Sequence, residues 1–165
     1  MVKEIKQNEL DPNFKYEISE RPGGEFFKRC FACGTCTAVC PVSEVDGIYN
    51  PRQIIRQALL GMRKEVLSSR TIWYCLTCYR CTTKCPQNVH FTDLMDVLRQ
   101  MAVDEGYVPE TILRDIEEIN RLSTELRHRL AVEYLQDSQS FEKTKKELEK
   151  FIPVRDRGLG TSNES

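Results

Sequence analysis

The sequence predicts a mainly α-helical chain folded around two cysteine-rich loops, and three observations carry that expectation. All eight cysteines fall into two copies of one motif. Outside the motifs, apolar residues recur at steps of three and four over most of the length. A single short stretch, Phe14, Tyr16 and Ile18 alternating with Lys15 and Glu17, reads instead as a strand.

Residues 1–25 form a charged N-terminal arm in which that stretch predicts a short edge strand, ended by Arg21-Pro22-Gly23-Gly24. The arm is either a surface segment without chemistry or a segment that lies on a partner protein. Its opening, Met1-Val2-Lys3-Glu4-Ile5-Lys6, has no apolar core of the kind that directs secretion. Free thiols in a reducing, cytoplasmic compartment are therefore expected, rather than a disulfide scaffold.

The motifs are Cys30-x2-Cys33-x2-Cys36-x3-Cys40-Pro41 and Cys75-x2-Cys78-x2-Cys81-x3-Cys85-Pro86, offset by 45 residues. Three thiolates spaced by two residues wrap a tight loop around three irons of a cube. The fourth, three residues on and followed by proline, points away and ligates the other cube. Two cubane [4Fe-4S] clusters follow as cofactors, one held by Cys30, Cys33, Cys36 and Cys85, the other by Cys75, Cys78, Cys81 and Cys40. They are cross-stitched and must lie close together. Structural zinc pairs two CxxC-like knuckles and has no use for a third cysteine two residues on or for the proline. Metal content decides between them, since two cubanes require about eight irons.

The 34 residues from Pro41 to Tyr74 are too many for a hairpin and read as helices. Asn50 is a good N-cap and Pro51 a good first helical residue. Ile54, Ile55, Ala58 and Leu59 make one apolar face, Gly61 bends or closes the helix, and Val66 and Leu67 extend the apolar supply. A short helical turn carries Ile72, Trp73 and Tyr74 into Cys75, its aromatics shielding the clusters from water. After Pro86, Thr92 is expected to cap a helix running to about Glu105, with Leu94, Val97, Leu98, Met101 and Ala102 on the face that packs over the clusters and Gly106 as its stop.

Beyond Pro109, Ile112, Ile116, Ile119, Leu122, Leu126 and Leu130 predict a long amphipathic helix to about Tyr134. Its stripe is either internal core or a docking surface for another protein chain. Asp137 to Ser140 reads as a turn, Phe141 to Ile152 as a charged last helix closed by Pro153, and the ending as a flexible tail. The expected organisation is an arm over 1–25, a cluster domain over 26–106, a helical extension over 107–152 and a tail over 153–165.

Formal net charge is −1. Two oxidised clusters add about −4, so the loaded protein sits near −5, which argues against nucleic acid as a partner. No apolar run approaches the roughly 20 residues of a membrane span. Lys28, Arg29, Arg70, Arg80 and Lys84 crowd the cysteine loops; positive charge there raises a cluster's potential or docks an acidic partner. His90 reads as a surface or capping residue with a sulfur contact as the sharper alternative, and His128 as part of a solvated face. There is no GxGxxG turn, P-loop or nucleophile–base motif, and each cluster has four cysteines with no open iron. No catalytic residue is assigned. Such a chain moves electrons.

Asn50-Pro51-Arg52, Ile54-Ile55-Arg56-Gln57-Ala58-Leu59-Leu60-Gly61-Met62, and the entry Ile72-Trp73-Tyr74-Cys75-Leu76-Thr77-Cys78-Tyr79 resemble the C subunit of heterodisulfide reductase. The resemblance covers about residues 26–106 and implies an alpha-helical ferredoxin, which the helices read beyond it follow as a C-terminal helical extension. It also implies a relay: the flavin/iron-sulfur A subunit is the donor, and the catalytic B subunit, which reduces the coenzyme M–coenzyme B disulfide of methanogenesis, is the acceptor. A larger anaerobic complex with a hydrogenase or formate dehydrogenase is the implied setting. This chain has no adjacent cysteine pair and so lacks the active site of the B subunit. Alternatives are the equivalent subunit of a flavin dehydrogenase or of a sulfur-oxidising system, a free-standing ferredoxin, or a structural metal module.

Overall fold

The computed structural model describes residues 9–151, and every regular element among them is helical. By their contacts the residues divide into two compact units between Glu117 and Glu118. In chain order the helices are α1 (Phe14–Glu20), α2 (Thr35–Ala38), α3 (Pro41–Val45), α4 (Pro51–Leu59), α5 (Arg63–Leu67), α6 (Arg80–Lys84), α7 (Phe91–Asp104), α8 (Thr111–Gln136) and α9 (Ser138–Glu149). Short 3-10 turns at Phe27–Arg29 and Arg70–Trp73 lead into the two cysteine motifs.

The expected edge strand is a helix. Phe14 and Ile18 are one turn apart as well as on one face of a strand, and both are fully buried, whereas Tyr16 between them is half exposed. An i, i+4 pair seated against α4 and α7 outweighs a three-residue alternation. Asp11 starts the turn, its carboxylate accepting from the Asn13 N–H at 2.9 Å. Gly61 fixes the crossing of this segment over the end of α4: it adopts φ +79°, its carbonyl accepts the Asp11 N–H at 2.8 Å, and a Cβ there would stand 2.2 Å from the Asp11 oxygen.

Helix α4 forms as its sequence dictates. The Asn50 Oδ1 accepts from the Gln53 N–H at 3.1 Å, Pro51 sits in the first turn, and Ile54, Ile55 and Ala58 face inward. Helix α7 is the central element, burying Leu94, Met95, Val97, Leu98, Met101 and Ala102. It begins at Phe91 rather than after a Thr92 cap, because His90 takes a left-handed conformation (φ 55°) at the cap position and the Thr92 side chain turns into the core. Gly106, at φ +74°, ends it by donating to the Val103 carbonyl.

Arg63 ties three elements of this unit together. Its guanidinium reaches Asp11 at 2.8 Å, Glu17 at 2.7 Å and Glu105 at 2.7 Å, and lies 5.3 Å over the Phe14 ring. Burial alone would raise the Asp11 carboxyl, but the Arg63 guanidinium and the Asn13 N–H hold it below its ordinary value.

In the second unit, Asp137 to Ser140 is not a free turn. Asp137 caps α9 through its Oδ1 and the Gln139 N–H at 2.9 Å, so the last helix starts at Ser138. Glu133 accepts from Ser140 at 2.6 Å and Thr144 at 2.9 Å, and Tyr134 meets Phe141 edge-on. No residue of α8 or α9 is buried, and Ile119, Leu122 and Leu126 are at least 45% exposed, so the apolar stripe supplies no internal core. His128 is exposed, as its place between Arg127 and Arg129 predicts. The expected stop at Pro153 and the tail over 153–165 lie outside the described residues. No helix among the described residues is long and apolar enough to cross a membrane.

Candidate metal centre

The two cysteine motifs fold alike, position by position. In each, the residue just before the second cysteine is left-handed: Ala32 at φ 60° and Thr77 at φ 50°. The residue after the second cysteine is left-handed too, Gly34 at φ 86° and Tyr79 at φ 58°, and each caps a one-turn helix that carries the third cysteine. The fourth cysteine is extended in both, Cys40 at φ −81°, ψ 119° and Cys85 at φ −72°, ψ 118°, which turns it out of its own loop. Packing of α2 against α6 brings the copies together.

Two cavities result. One is lined by Cys30, Cys33, Cys36 and Cys85, with Ile55, Val89 and Phe91 as its apolar wall. The other is lined by Cys40, Cys75, Cys78 and Cys81, with Val42, Tyr49 and Thr92. Cys81 and Phe91 border both, so the cavities are neighbours. Among the described residues no three His, Cys, Asp or Glu side chains converge as a single bound ion requires. At least four cysteines of the motif pair line each void, and four is the number of donors a cubane cluster needs.

The sulfurs are supplied with donors. The Ala32 N–H points to Cys30 Sγ and the Val89 N–H to Cys85 Sγ, both at 3.4 Å; the Thr35 hydroxyl is 3.3 Å from Cys33 Sγ and the Thr92 hydroxyl 3.6 Å from Cys81 Sγ. Thr35 draws the exposed Cys33 thiol below its ordinary value. Burial acts oppositely, pushing Cys36 up to about 11 and raising Cys75 and Cys81. Thiolates so placed need a positively charged core to repay their desolvation. The residues therefore fit iron-sulfur ligation.

Of the basic residues picked out in the sequence, Arg80 lines the second cavity, and Lys84 borders Cys40 in a surface hollow beside it. Lys28 instead lies 4.9 Å over Tyr16, and Arg29 4.4 Å over Phe26. Arg70 is exposed in its turn. The cation on the first cavity is Arg52, from α4. His90 hydrogen-bonds Asn88 Oδ1 at 2.8 Å, stands 3.2 Å from Asp93 and packs its ring on Phe26; these contacts include no sulfur.

Two residues that sequence reasoning missed are central here. Arg99 is 4% exposed on the buried face of α7, donating to the Ile72 carbonyl at 2.9 Å and the Cys75 carbonyl at 3.0 Å, with Asp96 at 3.3 Å. It clamps the turn that delivers Cys75. Its position was readable, since Met95, Arg99 and Ala102 at i, i+4 and i+7 share one face. Tyr49, 1% exposed in the loop before α4, faces the second cavity, and nothing in its sequence neighbourhood marks it.

Residues 26–89 match the family described as 4Fe-4S dicluster domain. Over 104 residues, 63% of this chain and 55% of the relative, the sequence is 38% identical to the C subunit of the H(2):CoB-CoM heterodisulfide,ferredoxin reductase of Methanothermobacter marburgensis. It is 40% identical over 109 residues to the C2 subunit of the H(2)/formate:CoB-CoM heterodisulfide,ferredoxin reductase of Methanococcus maripaludis, covering 62% of this chain and 58% of that one. Against the C subunit of the Ferredoxin:CoB-CoM heterodisulfide reductase of Methanosarcina acetivorans, identity reaches 46% over 78 residues, 47% of this chain and 31% of the relative. The chain thus spans about half the length of the first two. Over residues 26–89 its cysteine-rich helical body carries a match to the 4Fe-4S dicluster domain, and the chain is similar in sequence to heterodisulfide reductase C subunits.

Proposed function

We propose that the chain is the electron-relay subunit of a heterodisulfide reductase complex, passing electrons from a flavin/iron-sulfur subunit to one that reduces the coenzyme M–coenzyme B disulfide. Two [4Fe-4S] clusters carry the electrons when bound, each by a one-electron change of its iron. Cys30, Cys33, Cys36 and Cys85 hold one; Cys75, Cys78, Cys81 and Cys40 hold the other.

The observation that carries this reading is the pair of adjoining four-thiol cavities, each with one thiol at the surface. Cys33 opens the first and Cys78 the second, while Cys75 and Cys81 are buried. The chain's own residues thus provide two entrances on different loops and a shared wall between them. Phe91, Val89 and Ile55 keep water from the inner faces, and Arg52 and Arg80 offset the negative charge that an added electron brings.

Anaerobic affinity purification from the native cells tests the reading. Recovery with a flavoprotein and a paired-cysteine protein, with disulfide-reducing activity, is expected. Recovery with an unrelated dehydrogenase or a sulfur-oxidising complex would move the same relay to another system. Stable recovery of the cluster-loaded chain alone would make it a free ferredoxin.

A further inference from the structure

The Tyr49 hydroxyl is an anomaly in the protein alone. It is buried, and it finds no hydrogen-bond partner of acceptable geometry. A buried hydroxyl left unpaired is costly, and native proteins rarely tolerate one without reason. The ring faces the cavity of Cys40, Cys75, Cys78 and Cys81, and of these thiols Cys75 acts on the hydroxyl most strongly.

Cys75, 9% exposed, takes the Thr77 backbone N–H, and the side-chain hydroxyl that acts on it is that of Tyr49, whereas Cys81 beside it has Thr92. Thr92 accepts from the Thr82 hydroxyl at 3.4 Å, which leaves its own proton for Cys81. In the first cavity the matching hydroxyl, Thr35, serves an exposed thiol that water also reaches.

We infer that Tyr49 sets the reduction potential of the cluster held by Cys40, Cys75, Cys78 and Cys81, its hydroxyl donating to the Cys75 sulfur once that sulfur is a ligand. The inference rests on the cluster assignment above. A hydrogen bond to a ligand sulfur strengthens as the cluster gains an electron, so it stabilises the reduced state and raises the potential. Burial works the other way, since a low-dielectric wall disfavours added negative charge. Tyr49 offsets that burial from the wall of the cavity itself.

Redox titration of the loaded protein, followed by electron paramagnetic resonance, tests this with Tyr49→Phe, which keeps the ring against Tyr74 and removes only the hydroxyl. Both clusters should load, and one should become about tenfold harder to reduce, a fall of about 59 mV for a one-electron couple, while the other keeps its wild-type potential. A ring-fluorinated tyrosine placed at position 49 is a stronger donor of nearly the same shape and should shift that one potential upward. Unchanged potentials in either loaded variant overturn the inference. If Tyr49→Phe fails to load, the fluorinated protein decides alone. A wild-type protein that titrates fewer than two clusters overturns the assignment beneath the inference, a result separable from any effect of Tyr49.

Discussion

Replacing Arg99 by methionine should loosen the turn before Cys75 and release the second cluster first. The guanidinium satisfies two carbonyls, Ile72 at 2.9 Å and Cys75 at 3.0 Å, from a side chain only 5% exposed. Methionine fills similar volume but offers no donor, so each carbonyl loses its partner at about 1–3 kcal/mol. Part of that returns, because a charge no longer has to be buried; Asp96, 59% exposed, is left in water at little cost. A net loss of about 3 kcal/mol is the result, at the lower end of what breaking a buried ionic contact costs. At about 2–4 °C per kcal/mol for a chain of 165 residues, the holoprotein should melt about 6–12 °C lower. The assay is urea or thermal unfolding followed by visible cluster absorption, with electron paramagnetic resonance to tell which cluster goes. Lysine at 99, a point charge that reaches one carbonyl at a time, should fall between wild type and methionine. Equal stability of all three proteins, or simultaneous loss of both clusters, would refute the clamp.

Three further outcomes follow from the same structure. Cys40→Ser should lose the cluster of Cys75, Cys78 and Cys81 and keep the other, read by iron content and Mössbauer spectroscopy; damage confined to the Cys30 cluster would show that each motif serves its own cube. Arg63→Gln should cost about 1–3 kcal/mol after allowance for partial exposure, measured by urea unfolding. Because the Asp11 carboxyl is held below its ordinary 3.8, its share of that stability is present above pH 3.8 and is lost as pH falls through the lower folded value. The Asp11 part of the gap between wild type and variant should therefore persist from pH 7 to about 4, and a gap that vanishes by pH 5 would assign it to other groups. Gly61→Ala should lose at least about 2 kcal/mol in the same assay, from left-handed strain and the collision with the Asp11 carbonyl; wild-type stability would mean the crossing is not held there.

What the sequence revealed depended on the distance over which each signal acts. The cysteines were legible because their spacing is itself the coordination geometry, and Asn50-Pro51 because a cap and its helix adjoin. Helix α1 was misread because Phe14 and Ile18 satisfy periods of two and of about four at once, and only the core they enter chooses. Thr92 was assigned to the backbone on its residue type, yet its hydroxyl goes to a sulfur 11 residues earlier. Arg99 and Tyr49 act on a loop remote in sequence; Arg99 bonds a carbonyl 27 residues away, and no local pattern encodes such a contact. The stripe of α8 was visible as a pattern, but periodicity tells which residues share a face and not what covers it.

The left-handed residues have a bearing on assembly. Ala32, Thr77, Tyr79, Asn88 and His90 all adopt positive φ, and all lie inside the cysteine motifs or just after Cys85. Non-glycine residues hold such conformations at about 1–2 kcal/mol each, less for asparagine and more for β-branched Thr77. A stretch of polypeptide free of metal would relax them toward ordinary extended or helical values, and the thiols would then no longer face a common centre. Cluster loading and the shaping of these loops should therefore be coupled, each stabilising the other.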